Sequence, residues 1–431
     1  MNLYMGKNQI STFKCPKSEG NSLRNFLAVR NGIYLFGWDP NPNLDVGNVL
    51  HFYDTSFVTN MTGMFLYCKN MKNLLSIDTR NVTTMSMMFE GCEALETIPL
   101  LDTHKVTDMS SMFYQCKNLE SIPLLDTSNV INMKAMFREC KYLTEIPLLD
   151  MHNVKNMEYM FATCSSLQTI PLLDTANVTD MEYLFTGCTS LREIPLINTS
   201  KVTNMCGIFN GCNNLTTIPL LDTSNVTTME RMFLNCTSLK EIPLLDTHNV
   251  KNMLYMFAGC RSLTTIPLLD TSNIDALVSM FENCDDLKTI PLLNTSKVTT
   301  MWKMFKNCYN LESIPLLDTS NVKDMDSMFQ NCHSLTSIPA LDASKVGSMD
   351  YTFQDTYSIT EIHMTGMKCS FNISSCTKMT REALLEVLNN LAIVDPGTTT
   401  SVVTLTLGTT LLAKLTEEDK TIATGKGWTL K

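Results

Sequence analysis

Twelve cysteines stand in a single register, from Cys68, Cys92 and Cys116 at constant spacing to Cys332. A thiol ladder raises two kinds of chemistry, metal binding and disulfide exchange. Zinc sites need paired ligands such as Cys-x-x-Cys, which the register never supplies. A disulfide needs Cβ atoms aimed at one another, whereas successive repeats present parallel Cβ vectors. The ladder therefore reads as small apolar side chains facing inward, and no metal or other cofactor is expected. Cys15, Cys206, Cys369 and Cys376 fall outside the register, and Cys369 with Cys376 is the pair best placed for a bridge.

A second ladder is acidic: Asp102, Asp126, Asp174, Asp222, Asp246, Asp270 and Asp318, with Asn198 and Asn294 in the same register. One carboxylate per repeat could hold calcium. Carboxylates at chain corners more often bond their own backbone or cap a following helix, and the Gly-rich calcium-solenoid pattern is absent. Turn chemistry is the favoured reading and cation binding the alternative. There is no Gly-rich phosphate loop, His-Glu-x-x-His or nucleophile elbow, and His104, His152 and His248 share one corner position where other repeats carry Ser. No catalytic residue is assigned and an enzyme is not expected.

The elements behind these ladders are short. In one unit Val226, Met229, Met232, Phe233, Cys236, Leu239, Ile242 and Leu244 are apolar among mostly polar neighbours. The spacing of three predicts a short helix over Met229–Asn235, and the spacing of two predicts a strand at Ile242–Leu244. Most of the 30 methionines fall on this apolar period and read as core. Proline sits mid-strand in most units (Pro99, Pro123, Pro147), so pairing should concentrate on either side of it. Adjacent leucines follow. Either the chain turns there and buries both, or the second of each pair (Leu101, Leu125, Leu149) forms an exposed apolar stripe.

Leu239-Lys-Glu-Ile242-Pro-Leu244 has the spacing of a leucine-rich repeat. With Met-Phe-x-x-Cys-x-x-Leu and the corner Asp-Thr-Ser-Asn-Val-Thr, the pattern resembles the BspA-like leucine-rich repeat family, in its Asn-Val-Thr-x-Met variant. The resemblance covers Val58 to about Ile362 and implies an α/β repeat: a right-handed solenoid of about thirteen 24-residue coils with short parallel strands and short helices, capped at both ends. Residues 1–57 form the expected N-terminal cap, with strands at Leu3–Met5, Gln9–Phe13 and Ile33–Trp38. Residues 363–431 form the C-terminal cap, with a helix from Thr380 to Leu391, a turn at Asp395-Pro-Gly, a strand at Val402–Leu407, a helix opened by a capping box at Thr416, and a closing strand. The run from Lys414 to Trp428 looks like the end of BspA-like proteins of gut bacteria and their phages.

The variable column two residues after the first Met of each unit holds the candidate binding residues Tyr159, Tyr183, Arg231, Tyr255 and Lys303, with Trp302 beside them. Tyrosines facing solvent next to Arg and Trp suit an interface. The chain of 431 residues carries a net charge of −10 and no dense basic run, which argues against nucleic acid, and no stretch has the roughly 18 consecutive apolar residues of a membrane span. Met1 to Lys14 lacks a secretory pattern, so export by the ordinary route is not expected. His152-Asn-Val-Lys-Asn-Met157 returns four repeats on as His248-Asn-Val-Lys-Asn-Met253, the mark of block duplication. The family resemblance implies adhesion to a host protein or surface glycan. A phage tail or other virion host-recognition protein would reconcile repeat, C-terminal likeness and N-terminus, placing the protein on a virion or cell surface. The alternatives are a bacterial surface adhesin and a scaffold that associates with itself or a virion partner, with a cytoplasmic location as the alternative placement.

Overall fold

The structure is a computed structural model that describes residues 13–14, 53–56, 58–74, 77–394 and 402–431. The chain divides into two compact units, Met1–Asn214 and Leu215–Lys431, and the same coil recurs in each. The segment expected to be helical is not a helix. The N–H groups of Met229, Arg231, Phe233 and Asn235 donate to the carbonyls of Asn252, Leu254, Met256 and Ala258 in the following coil, at 2.7–2.9 Å. Between them Met232, Leu234 and Cys236 donate to the carbonyls three residues back. An α-helix needs every N–H for its own i−4 carbonyl. Sending alternate donors to the next coil leaves only turns.

Left-handed backbone at two positions per coil makes this alternation possible: Arg231 (φ 55°) and Asn235 (φ 60°) here, Tyr159 (57°) and Thr163 (60°) in the first unit. Such a conformation costs an ordinary residue roughly 1–2 kcal/mol and costs Gly little. The second position is accordingly Gly or Asn in most coils, as at Gly91, Gly187, Gly259, Asn307 and Asn331. That Gly or Asn just before Cys was the sequence signal against a helix.

Pairing between coils is parallel but lies elsewhere than expected. In the first unit, bridges join Asn60 to Thr84, Thr84 to Asp108 and onward to Asn204. The second has Thr228 with Asn252 and Ala276 with Thr300. The segment expected as a strand, Ile242–Leu244, contains Pro243, which has no N–H, and the backbone just before it supplies one bond, Lys240 N–H to Thr216 O, 3.1 Å. Regular strands are short. β1 (Phe13–Lys14) pairs with β2 (Tyr53–Asp54), and β3 (Ser337–Ile338) with β4 (Glu361–Ile362), all parallel. Of the N-terminal strands expected, only the end of Gln9–Phe13 falls on described residues; Leu3–Met5 and Ile33–Trp38 lie outside them, as do Cys15 and the turn at Asp395.

The core is a set of side-chain ladders. Phe65 to Phe209 stack with centroids 5.2–5.9 Å apart and planes within 10°, and Phe233 to Phe329 do the same. The methionines of the repeat are buried beside them. Each register cysteine from Cys92 to Cys212 donates its S–H to a phenylalanine carbonyl of the preceding coil, Cys92 to Phe65 O at 3.0 Å and Cys140 to Phe113 O at 3.0 Å. Burial pushes the thiols from Cys92 to Cys188 up, Cys188 to about 12. Among the described residues no cysteine is in a disulfide, so the expected bridge between Cys369 and Cys376 is not formed. A buried Thr at most corners bonds forward, Thr103 Oγ1 to Asp126 O at 2.7 Å and Thr223 Oγ1 to Asp246 O at 2.8 Å. The polar rung inside the core is thereby satisfied at these corners, whereas the buried Thr79 hydroxyl has no partner.

The adjacent leucines reverse the expectation. The second of each pair is buried (Leu101 and Leu245, both 2% exposed), and the first faces solvent (Leu100 73%, Leu244 64%). Ile242 points inward, Pro243 is half-buried and Leu244 exposed, and Leu245, Asp246 and Thr247 resume in-out-in alternation. The proline shifts the phase by one residue.

Beyond β4 the chain forms β5 (Phe371–Asn372), α1 (Arg381–Asn390), β6 (Thr404–Thr406), α2 (Gly408–Leu412), α3 (Glu417–Thr424) and β7 (Thr429–Leu430); α2 was not expected. The parallel order is β5-β6-β7. Thr380 caps α1, and Thr416 with Asp419 closes the expected capping box on α3. Asp419 also receives Arg381 through two bonds, 2.8 and 2.6 Å. Lys426 donates to the carbonyls of Leu388, Asn389 and Leu391, supplying the cation that the last turn of α1 lacks. Trp428 Nε1 bonds Ala392 O at 2.9 Å, and its ring meets Phe371 edge-on.

Two outcomes test this account. Thr163 is a β-branched residue in left-handed backbone, so Thr163→Asn should raise the unfolding free energy, read by denaturant titration, by up to about 1 kcal/mol; a drop would contradict the strain argument. Arg381 holds Asp419 down at about 2. A depressed carboxylate contributes stability above its unfolded value of about 3.9 that is lost toward its folded value. The wild-type chain should therefore lose stability between about pH 4 and pH 2 by a step that Asp419→Asn removes, read by denaturant titration across that range.

Candidate binding surface

The first left-handed position of each coil is the variable column, so the same backbone presents Tyr159, Tyr183, Arg231, Tyr255 and Lys303. These side chains, with Trp302, are half-buried rather than turned out to solvent, because each lies against a neighbouring side chain. The Tyr159 and Tyr183 rings stack at 5.0 Å and 10°. The Arg138 guanidinium sits 4.9 Å from the Tyr159 centroid and 5.3 Å from that of Tyr114, a cation–π arrangement. The stack stops at Gly207, where a Cβ would come within 2.3 Å of the Tyr183 ring.

Acids surround this group. Tyr114 Oη donates to Glu139 at 3.3 Å, Lys134 pairs with Glu158 at 2.6 Å, and Asn204 donates to Glu182 at 2.9 Å. Burial and then Glu182 raise the Tyr159 hydroxyl, and burial raises Glu182. The patch therefore presents neutral phenols, one shared guanidinium and carboxylates, a mixture suited to contact rather than proton transfer.

In the second unit Arg231 lies 5.2 Å over Tyr255 and pairs with Glu230, and Lys303 Nζ lies 4.0 Å over Trp302. The structure thus groups the expected residues as Tyr159 with Tyr183, Arg231 with Tyr255, and Trp302 with Lys303. The last pair borders an open pocket of about 370 Å³ made of three columns over three coils: Trp302, Asp326 and Asp350; Lys303, Ser327 and Tyr351; Lys306, Gln330 and Gln354. Ser327 is the small rung between Lys303 and the exposed Tyr351, and the depression lies there. Gln330 Nε2 donates to Gln354 Oε1 at 2.8 Å. Arg138, Tyr114 and Lys306 lie outside the one variable column that the sequence singled out, and Tyr351 lies in that column but in its last coil. Tyr114 to Arg138, and Lys306 to Gln330 to Gln354, are each one repeat apart, which was the available signal.

The corner carboxylates make Asx turns. Asp126 Oδ1 accepts from Ser128 N and Oγ at 3.0 and 2.6 Å, and Asp150 Oδ1 from His152 N and Nδ1 at 3.1 and 2.6 Å. The Ser128 hydroxyl and the His152 imidazole, then the backbone donors, hold the two acids below the usual range. Among the described residues no three His, Cys, Asp or Glu side chains converge as a metal site, and no helix is long and apolar enough to cross a membrane.

The family described as Mycoplasma protein of unknown function, DUF285, matches five times in overlapping spans, 41–144, 93–198, 155–269, 190–290 and 262–365. The chain belongs to this family. The DUF285 matches cover the array that the BspA-like resemblance marked out. A search of curated proteins found no match. Solved structures similar to this DUF285 chain include a leucine-rich repeat protein from Bacteroides ovatus (19% identity, 87% of this chain and 82% of that one, TM-score 0.39). A leucine-rich cell surface protein from Faecalibacterium prausnitzii is similar at 21% identity (73% and 78%, TM-score 0.40), and a leucine-rich repeat protein from Eubacterium ventriosum at 18% (73% and 80%, TM-score 0.36).

Gly207→Ala should cost more than Gly211→Ala. Both positions are left-handed, but the Gly211 Cβ would meet nothing nearer than 3.6 Å. The expected excess is about 1–3 kcal/mol, with a near-ultraviolet circular dichroism change at Gly207 alone as Tyr183 leaves its stack. Equal costs would mean that the stack does not confine Gly207.

Proposed function

We propose that this DUF285 protein is a non-enzymatic binding protein displayed on a virion or cell surface, whose coils contact a host protein or glycan through the columns that hold Tyr159, Tyr183, Arg231, Tyr255, Trp302 and Lys303. The observation that carries the reading is the division of labour within each coil. Phe, Met, Cys, Val and Thr rungs are committed to the interior, while the left-handed column keeps one backbone conformation and changes its side chain from coil to coil. A fixed frame with interchangeable aromatic and cationic side chains is what a recognition surface requires. The pocket beside Trp302, with two carboxylates, two amides and two ammonium groups around aromatic rings, suits a hydroxyl-rich ligand with a flat face.

Labelled full-length protein titrated onto candidate host cells tests this. Tyr159→Ser with Tyr183→Ser, and separately Trp302→Ala with Tyr351→Ser, should each weaken attachment about tenfold or more if they remove contact residues, with circular dichroism unchanged. Undiminished attachment of both variants would remove these columns from the function. A scaffold is the second reading; a concentration-dependent mass by light scattering would favour it.

A further inference from the structure

We propose that the exposed leucine column of the first unit, together with the acidic columns beside it, is a docking face for a basic amphipathic α-helix of a partner protein. Leu100, Leu124, Leu148, Leu172 and Leu196 are 61–73% exposed. At roughly 100 Å² of apolar surface each, they form a stripe of about 500 Å², in the range of about 300–600 Å² of a monomer's largest apolar patch, which is often functional. Duplication alone does not account for it. Four residues earlier in the same coils, an equally exposed column has drifted to Glu96, Glu120, Thr144, Gln168 and Arg192, whereas the leucine is kept on all five of these rungs.

The flanks select the partner. Two residues after the leucines stand Asp102, Asp126, Asp150 and Asp174, each exposed. Three residues before Leu148 and Leu196 stand Glu145 and Glu193, also exposed. Arg192 is the one cation in these columns, and His104 and His152 lie against Asp102 and Asp150. An apolar stripe between two acidic borders calls for an apolar stripe between cations. A second copy of the chain fits badly. Placed antiparallel, it sets Asp column against Asp column. Placed parallel, it sets Asp against Glu145 and Glu193, and like charges in contact oppose association.

Spacing selects the form. The backbone rungs repeat at about 4.8 Å and the stacked Phe rings at 5.2–5.9 Å. These bracket the helical pitch of about 5.4 Å, so a helix lying along the stripe can offer one apolar side chain per rung over five rungs. An extended strand repeats its facing side chains at about 6.6–6.8 Å and loses register within three.

The test uses the full chain and a labelled synthetic helix of about 18 residues, five turns, with leucine on one stripe and lysine elsewhere; its counterpart carries glutamate for lysine. The lysine peptide should bind, more weakly as salt shortens the Debye length from about 10 Å at 0.1 M to about 3 Å at 1 M, and the glutamate peptide should not. Leu124→Ser with Leu148→Ser and Leu172→Ser should cost about tenfold or more in Kd, and Asp126→Asn with Asp150→Asn several-fold. These side chains are exposed, so circular dichroism should confirm that the variants fold. Equal binding of the lysine peptide by the leucine variant would overturn the proposal. So would equal binding of the glutamate peptide, or a dimer that the leucine variant abolishes. The tyrosine variants should bind the peptide normally, which keeps this face separate from the columns proposed for host contact.

Discussion

The structure depends on giving away every second backbone donor. In an isolated chain the Met-x-x-Met-Phe-x-x-Cys segment has the spacing and composition of a helix. Here Met229, Arg231, Phe233 and Asn235 bond the next coil while the residues between them bond back three positions, and neither pattern can be completed within one coil. The local structure of each repeat therefore exists only through its neighbour, as expected of an array in which stability resides largely at interfaces between repeats. The two left-handed residues per coil are what this arrangement costs. Gly and Asn at the second position reduce it, while Tyr, Arg and Lys at the first leave it standing.

With the donors fixed, side chains follow in ladders. Phe stacks on Phe, Cys donates to the Phe carbonyl of an earlier coil, and Thr reaches a backbone carbonyl of the next. Most polar atoms introduced into the interior have a partner one coil away, Thr79 Oγ1 and Ser279 Oγ being exceptions, so polar and apolar rungs coexist in one core. The same in-register stacking sets the surface. A side chain at the variable column meets its counterpart one repeat on, and Tyr159 with Tyr183 or Arg231 with Tyr255 become pairs by virtue of sequence spacing alone.

The repeat, its period, the inward cysteines and methionines, the corner turns and both capped helices near the C-terminus were legible because each is a local or periodic property. The Met229–Asn235 conformation was not, since apolar spacing reports which face is buried but not whether an N–H bonds four residues back or a neighbouring coil. Asn235 and its Gly equivalents held the missing information. The exposed leucine was misplaced by one residue because alternation was carried straight through Pro243, where the chain slips phase. The surface groups were half legible: Tyr159 and Tyr183 share a column, but Arg138 belongs to another and joins them only across the coil.

The thiol in each coil has one more consequence. Closed, it lies against a carbonyl and out of solvent; opened, it is an ordinary nucleophile. An array built this way carries one chemical reporter in each coil from Cys92 to Cys332, at a known position. The rate at which a small alkylating reagent reaches each sulfur would chart where the array frays and where it opens only with the whole unit, coil by coil and without an added probe.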